Sequence, residues 1–275
     1  EPNGTRDWKR VLHCVLAIHN PEHSKLLKTV SQKTMLDRER FYFKFWDDLR
    51  FNTTFRDADP RVLTHRQVQA VANLWAERKL SVATVHNYLS FLRTYAAWIG
   101  RPGMVRDVAT YFGADSHYVH RERTAKVDRS WIARCVEVEA KIREVTAYDP
   151  WVGMQLELCY RFGLRAKEAR HFRPHVAVIS RELANPRDAQ HFPDCKQFLR
   201  VRYGTKGGRP RDIPVKTPEQ EELIERTLRA VAPGHYVGAP GRTAVQNANR
   251  FYNVLRRFEI TKAALGVTAH GLRHQ

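Results

Sequence analysis

The stretch that decides the fold assignment is HGLRHQ, residues 270–275. It places His270 and Arg273 three residues apart, with His274 directly after the arginine. On a helical turn this spacing brings His270 and Arg273 to one face, and we expect a helix to begin here. Two basic, hydrogen-bonding side chains on one face are suited to holding an anion.

Two upstream segments contribute further basic groups. GLRAKEA, residues 163–169, places Arg165 two residues after Gly163, and GTKGGRPRDIPV, residues 204–215, places Lys206 at the tip of a predicted hairpin. Arginine is suited to phosphate because its planar guanidinium meets two oxygens at once and keeps its charge. A lysine flanked by glycine can reach into a DNA groove and protonate a departing sugar oxygen. Together the three segments predict a site that holds and cleaves a phosphodiester.

The charge of the chain indicates a polyanionic partner. Of 275 residues, 47 are Lys or Arg and 29 are Asp or Glu, which gives a formal net charge of +18. A protein this basic attracts nucleic acid, although a basic enzyme with another substrate shares the same composition. Hydrophobic residues make up 43% of the chain. That fraction builds a substantial core and excludes a disordered or collagen-like protein.

Neither a membrane segment nor a metal site is predicted. The apolar run at residues 11–18 is interrupted by His13 and is too short to cross a bilayer, and no signal-peptide pattern precedes it. Zinc binding by His270 and His274 is disfavoured because Gly271 stands where the metalloprotease pattern has glutamate. The cysteines lack Cys-x-x-Cys spacing, which is typical of reduced thiols in an intracellular protein. They are Cys14, Cys135, Cys159 and Cys195.

Capping and periodicity predict a helical module over residues 25–112. A helix rich in aromatic residues is predicted at 33–49. Thr64 and Gln67 form a capping box before the next helix. Ser81 caps a third helix with a buried apolar face.

Two other stretches separate this module from the rest of the chain. Residues 1–24 are set apart as an N-terminal extension with no assigned role. Residues 113–129 lose the apolar periodicity and are predicted to be a linker between domains. A second domain is predicted over residues 130–275.

The second domain is predicted to be mostly helical with a small antiparallel sheet. Helical periodicity resumes at Trp131 and reaches Ile142, and a further helix covers residues 150–162. Residues 198–203 alternate in strand fashion, a glycine pair turns the chain, and residues 211–215 form the returning strand.

Taken in order, the three basic segments resemble the tyrosine recombinases, also called phage-type integrases. That family has an arginine in a Gly-Leu-Arg-x-x-Glu turn, a lysine on a β-hairpin and a His-x-Leu-Arg-His segment, and all three patterns are found here. Helices within residues 31–100 resemble the core-binding domain of the family. The resemblance implies a mainly α fold, with a helical, SAM-like core-binding domain at residues 25–112. A mostly helical catalytic domain with a small antiparallel β-sheet is implied at residues 130–275.

The resemblance also implies an activity. It predicts a site-specific DNA recombinase, an integrase of a mobile genetic element, which cleaves and rejoins strands through a 3′-phosphotyrosine intermediate. The implied partner is double-stranded DNA, on which a homotetramer joins two DNA sites. No metal, nucleotide or other cofactor is implied, because the phosphotyrosine bond conserves the energy of the broken bond. The implied location is the bacterial cytoplasm in association with the nucleoid, away from membranes.

The motifs assign these roles to particular residues. The catalytic set implied by the resemblance is Arg165, Lys206, His270 and Arg273. Glu168, by orienting an arginine, and His274 are expected to support that set. DNA contacts are expected from one helix region and from the hairpin. They are Lys79, Thr84, His86, Asn87, Arg93, Arg209 and Arg211. Plainer interpretations remain open: Arg165 as a helix cap, and Lys206 and the helix face as solvated surface.

The chain departs from the family pattern at its end. In the family the nucleophilic tyrosine lies some tens of residues beyond the His-x-x-Arg segment, whereas this sequence ends at Gln275. Tyr252 is the nearest upstream tyrosine, but its helix pattern with Phe251 and Val254 predicts that it is buried in the core. We therefore expect either a C-terminally truncated chain or a partner that donates the tyrosine in trans. This chain would then be inactive alone.

Three other functions share parts of this pattern. A non-catalytic, site-specific DNA-binding protein derived from a truncated recombinase would have the same basic surface. A type IB topoisomerase-like enzyme would use the same residues without a specific site. An RNA-binding module fits the charge but not the motifs, and it would bind single-stranded RNA as tightly as duplex DNA.

Every DNA-binding interpretation predicts a steep salt dependence. Binding that neutralises several phosphates releases counterions, so the affinity for duplex DNA should fall as the salt concentration rises. Fluorescence anisotropy of a labelled duplex at several salt concentrations measures this dependence. An affinity that does not change with salt would contradict all of these interpretations.

Overall fold

The computed structural model describes residues 7–22, 29–122 and 127–274. The chain forms two compact units, residues 1–124 and 125–275, each with its own hydrophobic core. Both units are mainly helical and the second adds a small antiparallel sheet, which confirms the predicted fold class. None of the helices in these described ranges is long and apolar enough to cross a membrane.

The first unit has five helices in its described part. They are α1 Trp8–His19, α2 Gln32–Phe51, α3 His65–Glu77, α4 Val82–Trp98 and α5 Val108–Phe112. The predicted caps are confirmed. The side chain of Thr64 accepts a hydrogen bond from the backbone of Gln67, and the side chain of Gln67 accepts one from the backbone of Thr64. Ser81 accepts one from the backbone of Thr84. These bonds fix where α3 and α4 begin, because they satisfy N–H groups that have no partner inside the helix.

Aromatic side chains of α2 form the centre of this unit. Phe41, Tyr42, Phe45 and Trp46 are all buried, and Phe41 packs against rings of α3 and α4. The hydroxyl of Tyr42 donates a hydrogen bond to the carbonyl of Phe91 at 2.9 Å, so its polar end is satisfied inside the core. The aromatic-rich helix expected from the sequence is confirmed.

Helix α1 belongs to the same core. Trp8, Leu12 and Leu16 lie on one side of the helix and are buried with the aromatic residues of α2. Their four-residue spacing is typical of an amphipathic helix. The domain boundary predicted at residue 25 placed these residues outside the helical module. The core of the first unit therefore extends further towards the N-terminus than the sequence-based boundary.

Part of the predicted linker packs on the first unit. Tyr118 is buried, and its carbonyl accepts a hydrogen bond from Nε2 of His86 at 2.8 Å. Three stretches of the predicted extension and linker lie outside the described residues, namely 1–6, 23–24 and 123–126.

The second unit contains the other named elements. Its helices are α6 Val138–Tyr148, α7 Pro150–Phe162, α8 Ala166–Arg170, α9 Pro174–Ala177, α10 Pro186–His191, α11 Pro218–Ala230 and α12 Ala244–Arg257. Its strands are β1 Val178–Ser180, β2 Gln197–Val201 and β3 Arg211–Pro214. The strand order is β1-β2-β3 and both pairings are antiparallel, with Leu199 of β2 opposite Val178 and Ile213. The two predicted strands are confirmed; the three-residue β1 was not predicted.

The helical periodicity predicted from Trp131 to Ile142 does not form one helix. A 3₁₀ turn covers Ile132–Arg134, and α6 begins only at Val138. Cys135 between them has a φ of 55°, in the left-handed region that breaks a helix. The backbone N–H of Val136 instead turns back to the carbonyl of Trp131.

Helix α7 crosses α6 at very short range. A Cβ built at Gly153 would lie 2.1 Å from Oγ1 of Thr146, so only glycine fits at this crossing. The predicted helix end at Phe162 is confirmed, and Gly163 follows with a φ of 58°. A left-handed glycine at this position ends the helix and redirects the chain.

Gly153→Ala should lower the free energy of unfolding by about 1–3 kcal/mol, because the added methyl group overpacks the crossing of α6 and α7. Urea denaturation measures this change. Arg143→Ala, on the exposed side of α6, is the control and should change the stability by less than about 0.5 kcal/mol. Equal stability of Gly153→Ala and the unmodified protein would contradict the close crossing.

Candidate active site

The end of α7 positions the first predicted site residue. The left-handed turn at Gly163 leads into Arg165, which immediately precedes α8 and has an extended backbone with φ −68° and ψ 149°. The side chain of Arg165 is 37% exposed, so its guanidinium is accessible to a ligand.

Glu168 joins Arg165 to the hairpin. The backbone N–H of Arg165 donates to Oε2 of Glu168 at 2.7 Å, and Nη1 of Arg165 donates to Oε1 at 2.7 Å. Arg211 on β3 donates from Nη1 to Oε1 at 2.8 Å and from Nη2 to Oε2 at 2.7 Å. The carboxylate is completely buried and both of its oxygens are used. Two parts of the chain 43 residues apart therefore meet on one acid.

The pKa of Glu168 reflects this network. Burial raises the pKa of a carboxyl group, but hydrogen bonds from Arg211 and Arg165 outweigh burial and lower the pKa to about 2. The carboxylate therefore stays charged at neutral pH. It offsets one of the two positive charges that contact it, and the group keeps a net positive charge.

Lys206 lies in the loop between β2 and β3, at the start of the 3₁₀ turn Lys206–Gly208. Gly204 at the base of this loop has a φ of 75°, and a Cβ built there would lie 2.7 Å from the carbonyl oxygen of Lys167. Only glycine allows this approach, which holds the base of the loop against α8. The side chain of Lys206 is exposed and makes no hydrogen bond or ion pair with the described residues.

Arg273 is anchored to the same turn as Arg165. It lies in a 3₁₀ turn, Gly271–His274, and not at the start of an α-helix as expected. Nε of Arg273 donates to the carbonyl of Gly163 at 2.6 Å, while its terminal nitrogens donate to none of the described residues. Burial lowers the pKa of Arg273, and repulsion from Arg165 and Arg211 lowers it further. An anion bound between these guanidinium groups would relieve that repulsion.

His270 precedes this turn, with its ring centroid 5.3 Å from that of His274 in an edge-to-face arrangement. Burial lowers the pKa of His270, and the positive charges of Arg273, His274 and Arg165 lower it further. A neutral imidazole is therefore favoured at neutral pH, and it offers one hydrogen-bond donor and one acceptor. Within the described ranges, no group of three or more His, Cys, Asp or Glu side chains is placed to hold a metal ion.

Four of the predicted DNA contacts already have partners inside the first unit. Oδ1 of Asn87 accepts a hydrogen bond from Arg121 at 3.3 Å, and the hydroxyl of Thr84 lies 2.8 Å from that of Ser81. His86 donates to the carbonyl of Tyr118, and Arg93 donates to the carbonyl of Arg106 at 2.6 Å. Lys79 follows α3 and is exposed, and its side chain contacts no polar group of the described residues.

Thr84 and Asn87 line a groove of about 470 Å³ between α2 and α4. Arg40 and Lys44 of α2 line the same groove, and the sequence analysis missed both. Their spacing of four residues, which puts both on one helix face, is the signal that could have found them. Hydroxyl, amide and basic side chains together suit contacts with DNA phosphates and base edges.

The two hairpin arginines differ in their surroundings. Arg209 is exposed and contacts no polar group of the described part of the chain. Arg211, expected to contact DNA, instead directs its guanidinium to Glu168. A long-range ion pair of this kind leaves no local signal in the sequence.

The expectation that Tyr252 is buried is wrong. Its side chain is 49% exposed, and the guanidinium of Arg170 lies 5.4 Å from its ring centroid. Phe251 occupies the buried position instead, and one residue along a helix turns the next side chain by about 100°. In the described part of the chain, no tyrosine hydroxyl hydrogen-bonds to the side chain of Arg165, His270 or Arg273.

Comparisons with known proteins give a consistent result. A family model described as integrase matches residues 130–275. A lambda integrase tetramer bound to a Holliday junction is similar with a TM-score of 0.54 and 16% identity, over 99% of this chain and 69% of that chain. The lambda integrase dimer bound to a COC' core site gives a TM-score of 0.52 and 16% identity, over 95% and 67% of the two chains.

A third similar structure is the Tn1549 transposon integrase in complex with circular intermediate DNA. Its TM-score is 0.51 at 15% identity, over 96% of this chain and 84% of that chain. At such low identity these likenesses show a shared fold. No curated protein matches the chain in sequence.

Glu168→Gln should weaken the acid dependence of stability. The pKa of Glu168 is about 2 in the folded protein, against an ordinary value of 4.5. The charged form therefore stabilises the fold above pH 4.5, and this contribution is lost as the pH falls towards 2. The shift corresponds to about 3 kcal/mol. Urea denaturation between pH 2 and pH 6 should show a smaller loss of stability in the variant.

At pH 7 the same variant should be less stable than the unmodified protein, because the half-buried Arg165 and Arg211 lose their counter-charge. Glu144→Gln, which removes a carboxylate from a surface ion pair with Lys141, controls for the loss of an acidic group. Identical acid dependence of Glu168→Gln and the unmodified protein would contradict the network.

Proposed function

The chain belongs to the integrase family, and from that premise we propose that it is a site-specific recombinase that breaks and rejoins DNA strands. The observation that carries the proposal is the anchoring of Arg165 and Arg273 to one turn. Both arginines bond to atoms of the segment from Gly163 to Glu168, and both keep nitrogens for a ligand.

In the proposed reaction, Arg165 and Arg273 bind the nonbridging oxygens of the scissile phosphate. Negative charge grows on these oxygens as the phosphorus becomes pentacovalent, so fixed positive groups stabilise the transition state more than the bound substrate. Glu168 supports this binding because it holds Arg165 through two hydrogen bonds. The residual repulsion around Arg273 favours an anion at the same place.

Lys206 is proposed to donate a proton, and His270 to donate a hydrogen bond or relay a proton. Lys206 lies on a loop whose base is fixed against α8. Its own side chain makes no hydrogen bond or ion pair with the described residues, so it can protonate the departing 5′ oxygen. His270 is close enough to Arg273, Arg165 and His274 for their charges to lower its pKa. Its neutral ring can donate a hydrogen bond to the phosphate or relay a proton.

The proposed nucleophile is a tyrosine that forms a 3′-phosphotyrosine with the cleaved strand. Attack forms the tyrosine–phosphorus bond and breaks the bond between phosphorus and the 5′ oxygen, which leaves as a hydroxyl. The tyrosine hydroxyls in the described ranges make no hydrogen bond to Arg165 or Arg273, here called the clamp arginines. The nucleophile is therefore proposed to come from a segment or a protomer beyond these residues.

The proposed partner is duplex DNA, on which several protomers assemble. The similar lambda integrase structures include a tetramer on a Holliday junction and a dimer on a core site. In the first unit, the groove lined by Thr84, Asn87, Arg40 and Lys44 is the proposed contact with the duplex. Lys79 and Arg209, which are exposed and have no polar partner in the described part of the chain, are proposed to bind phosphates.

Arg165→Ala and Arg273→Ala should each lower the rate of strand cleavage by roughly 10²-fold or more, because each removes a group that stabilises the transition state. Cleavage is measured as covalent protein–DNA complex formed on a labelled duplex by full-length protein with its nucleophilic tyrosine. Duplex affinity should change little, since many other phosphate contacts remain.

Arg143→Ala, an exposed arginine of α6, is the matched control and should cleave normally. Normal cleavage by Arg273→Ala would contradict the proposed clamp. Specific duplex binding without any covalent complex in the full-length protein would support a non-catalytic DNA-binding function instead.

A further inference from the structure

Two segments of the second unit run alongside each other in opposite directions. Residues 128–134, here called the lead-in segment, cover the end of the predicted linker and the start of the predicted second domain. Residues 266–274, here called the clamp loop, carry His270 and Arg273. Close approaches between the two segments occur in reverse order: Arg134 with Gly266, Trp131 with Thr268, and Arg129 with Gly271.

Trp131 makes the most specific of these contacts. Its indole Nε1 donates a hydrogen bond to the carbonyl of Thr268 at 2.8 Å, and the side chain is completely buried. A Cβ built at Gly271 would lie 3.1 Å from Cδ1 of the same ring and 2.3 Å from the carbonyl oxygen of Arg129. The indole therefore contacts the clamp loop on both sides of His270.

The lead-in segment is itself held in a defined turn. The backbone N–H of Ser130 donates to Asp128 at 2.7 Å, and the hydroxyl of Ser130 accepts from the backbone of Ala133 at 3.1 Å. The backbone of Arg134 then closes a turn onto the carbonyl of Trp131 at 3.0 Å. These local bonds fix the backbone turn that carries the indole.

The clamp loop is anchored on its other side by the core. Val267, Ala269 and Leu272 are buried in the hydrophobic core of the unit, and Nε of Arg273 bonds to the end of α7. His270 lies between these apolar anchors, and the indole contacts its neighbours Thr268 and Gly271. The loop has no regular secondary structure before residue 271, so these contacts replace a helix or strand in fixing its backbone.

We infer that Trp131 is a positioning residue that sets the placement of His270 and Arg273 through its hydrogen bond to Thr268 and its packing on Gly271. The inference rests on the proposed function, because it assigns the consequence of that placement to strand cleavage. Loss of the indole bond leaves the carbonyl of Thr268 with the backbone N–H of Gly271, at 2.9 Å within the same loop, so no contact from outside the loop holds this carbonyl and the loop can shift. Displacement of catalytic groups by about 1 Å can lower a rate by as much as 10²-fold.

The first test is Trp131→Phe, which keeps an aromatic ring in the core and removes the N–H donor. Trp151→Phe is the matched control, because Trp151 packs against the same core and its indole makes no hydrogen bond within the described residues. We expect Trp131→Phe to slow cleavage by about tenfold to 10²-fold, with duplex affinity within about twofold of the unmodified protein. Trp151→Phe should match the unmodified protein in both measurements.

A second readout does not depend on cleavage. NMR titration of the His270 imidazole, assigned by comparison with His270→Gln, reports the surroundings of that ring in the free protein. We expect its titration midpoint to move in Trp131→Phe and to stay in place in Trp151→Phe. A purely structural role for Trp131 would lower the unfolding midpoint of Trp131→Phe and leave the titration of His270 unchanged.

Gly271→Ala provides an independent variant, since its methyl group would press the clamp loop away from the carbonyl of Arg129. Gly153→Ala, which overpacks a crossing away from the loop, is its matched control. We expect Gly271→Ala to move the His270 titration and to slow cleavage more than Gly153→Ala does at equal folded fraction. Equal effects of the two glycine variants would overturn the inference.

The two ideas fail in different ways. If Trp131→Phe moves the His270 titration while Arg273→Ala cleaves normally, the positioning is upheld and the proposed function is overturned. If Arg273→Ala abolishes cleavage while Trp131→Phe changes neither the titration nor the rate, the proposed function stands and the inference is overturned.

Discussion

The second unit depends on one buried carboxylate. Glu168 accepts four hydrogen bonds from two arginines, of which one precedes α8 and the other lies on β3. A buried charge is tolerated only where partners satisfy it, so this acid forces the helix turn and the hairpin to meet. The same acid prevents the repulsion between Arg165 and Arg211 from separating them. Arg273 then completes the group through a backbone carbonyl, without using a second acid.

Positive charge exceeds negative charge around Glu168. Three guanidinium groups lie around a single carboxylate. The pKa of the neighbouring His270 imidazole is lowered by burial and, beyond that, by the charges of Arg273 and Arg165. The protein therefore stores electrostatic repulsion that an anionic ligand relieves. The fold withstands this repulsion because Glu168 binds Arg165 and Arg211, and the carbonyl of Gly163 binds Arg273.

Sequence reasoning succeeded where the determining chemistry is local. The capping box of Thr64 and Gln67, the stop at Gly163 and the two hairpin strands all follow from neighbours a few residues apart. It failed where distant residues decide. Arg211 turns from the surface to Glu168, 43 residues away in sequence. The break at Cys135 is local, but its left-handed backbone is uncommon for a residue other than glycine and was therefore not expected. The motif residues of the candidate site and the nearby Glu168 could be named from the sequence. The links from Arg211 to Glu168 and from Arg273 to Gly163 could not, since each joins distant elements.

The close approach of Gly204 to the carbonyl of Lys167 divides the β2–β3 hairpin into two parts that differ in the side chains they can accommodate. At Gly204, any side chain larger than hydrogen would push the base of the hairpin away from α8. Residues 206–210 of the tip are exposed, and Thr205 joins the tip to the base through a hydrogen bond from its hydroxyl to the carbonyl of Arg202 at 3.2 Å. Substitutions at tip positions other than Lys206 can therefore change what the tip reaches, while the ion pair beneath it keeps its geometry. A single glycine thus separates a sterically fixed base of the hairpin from an exposed tip.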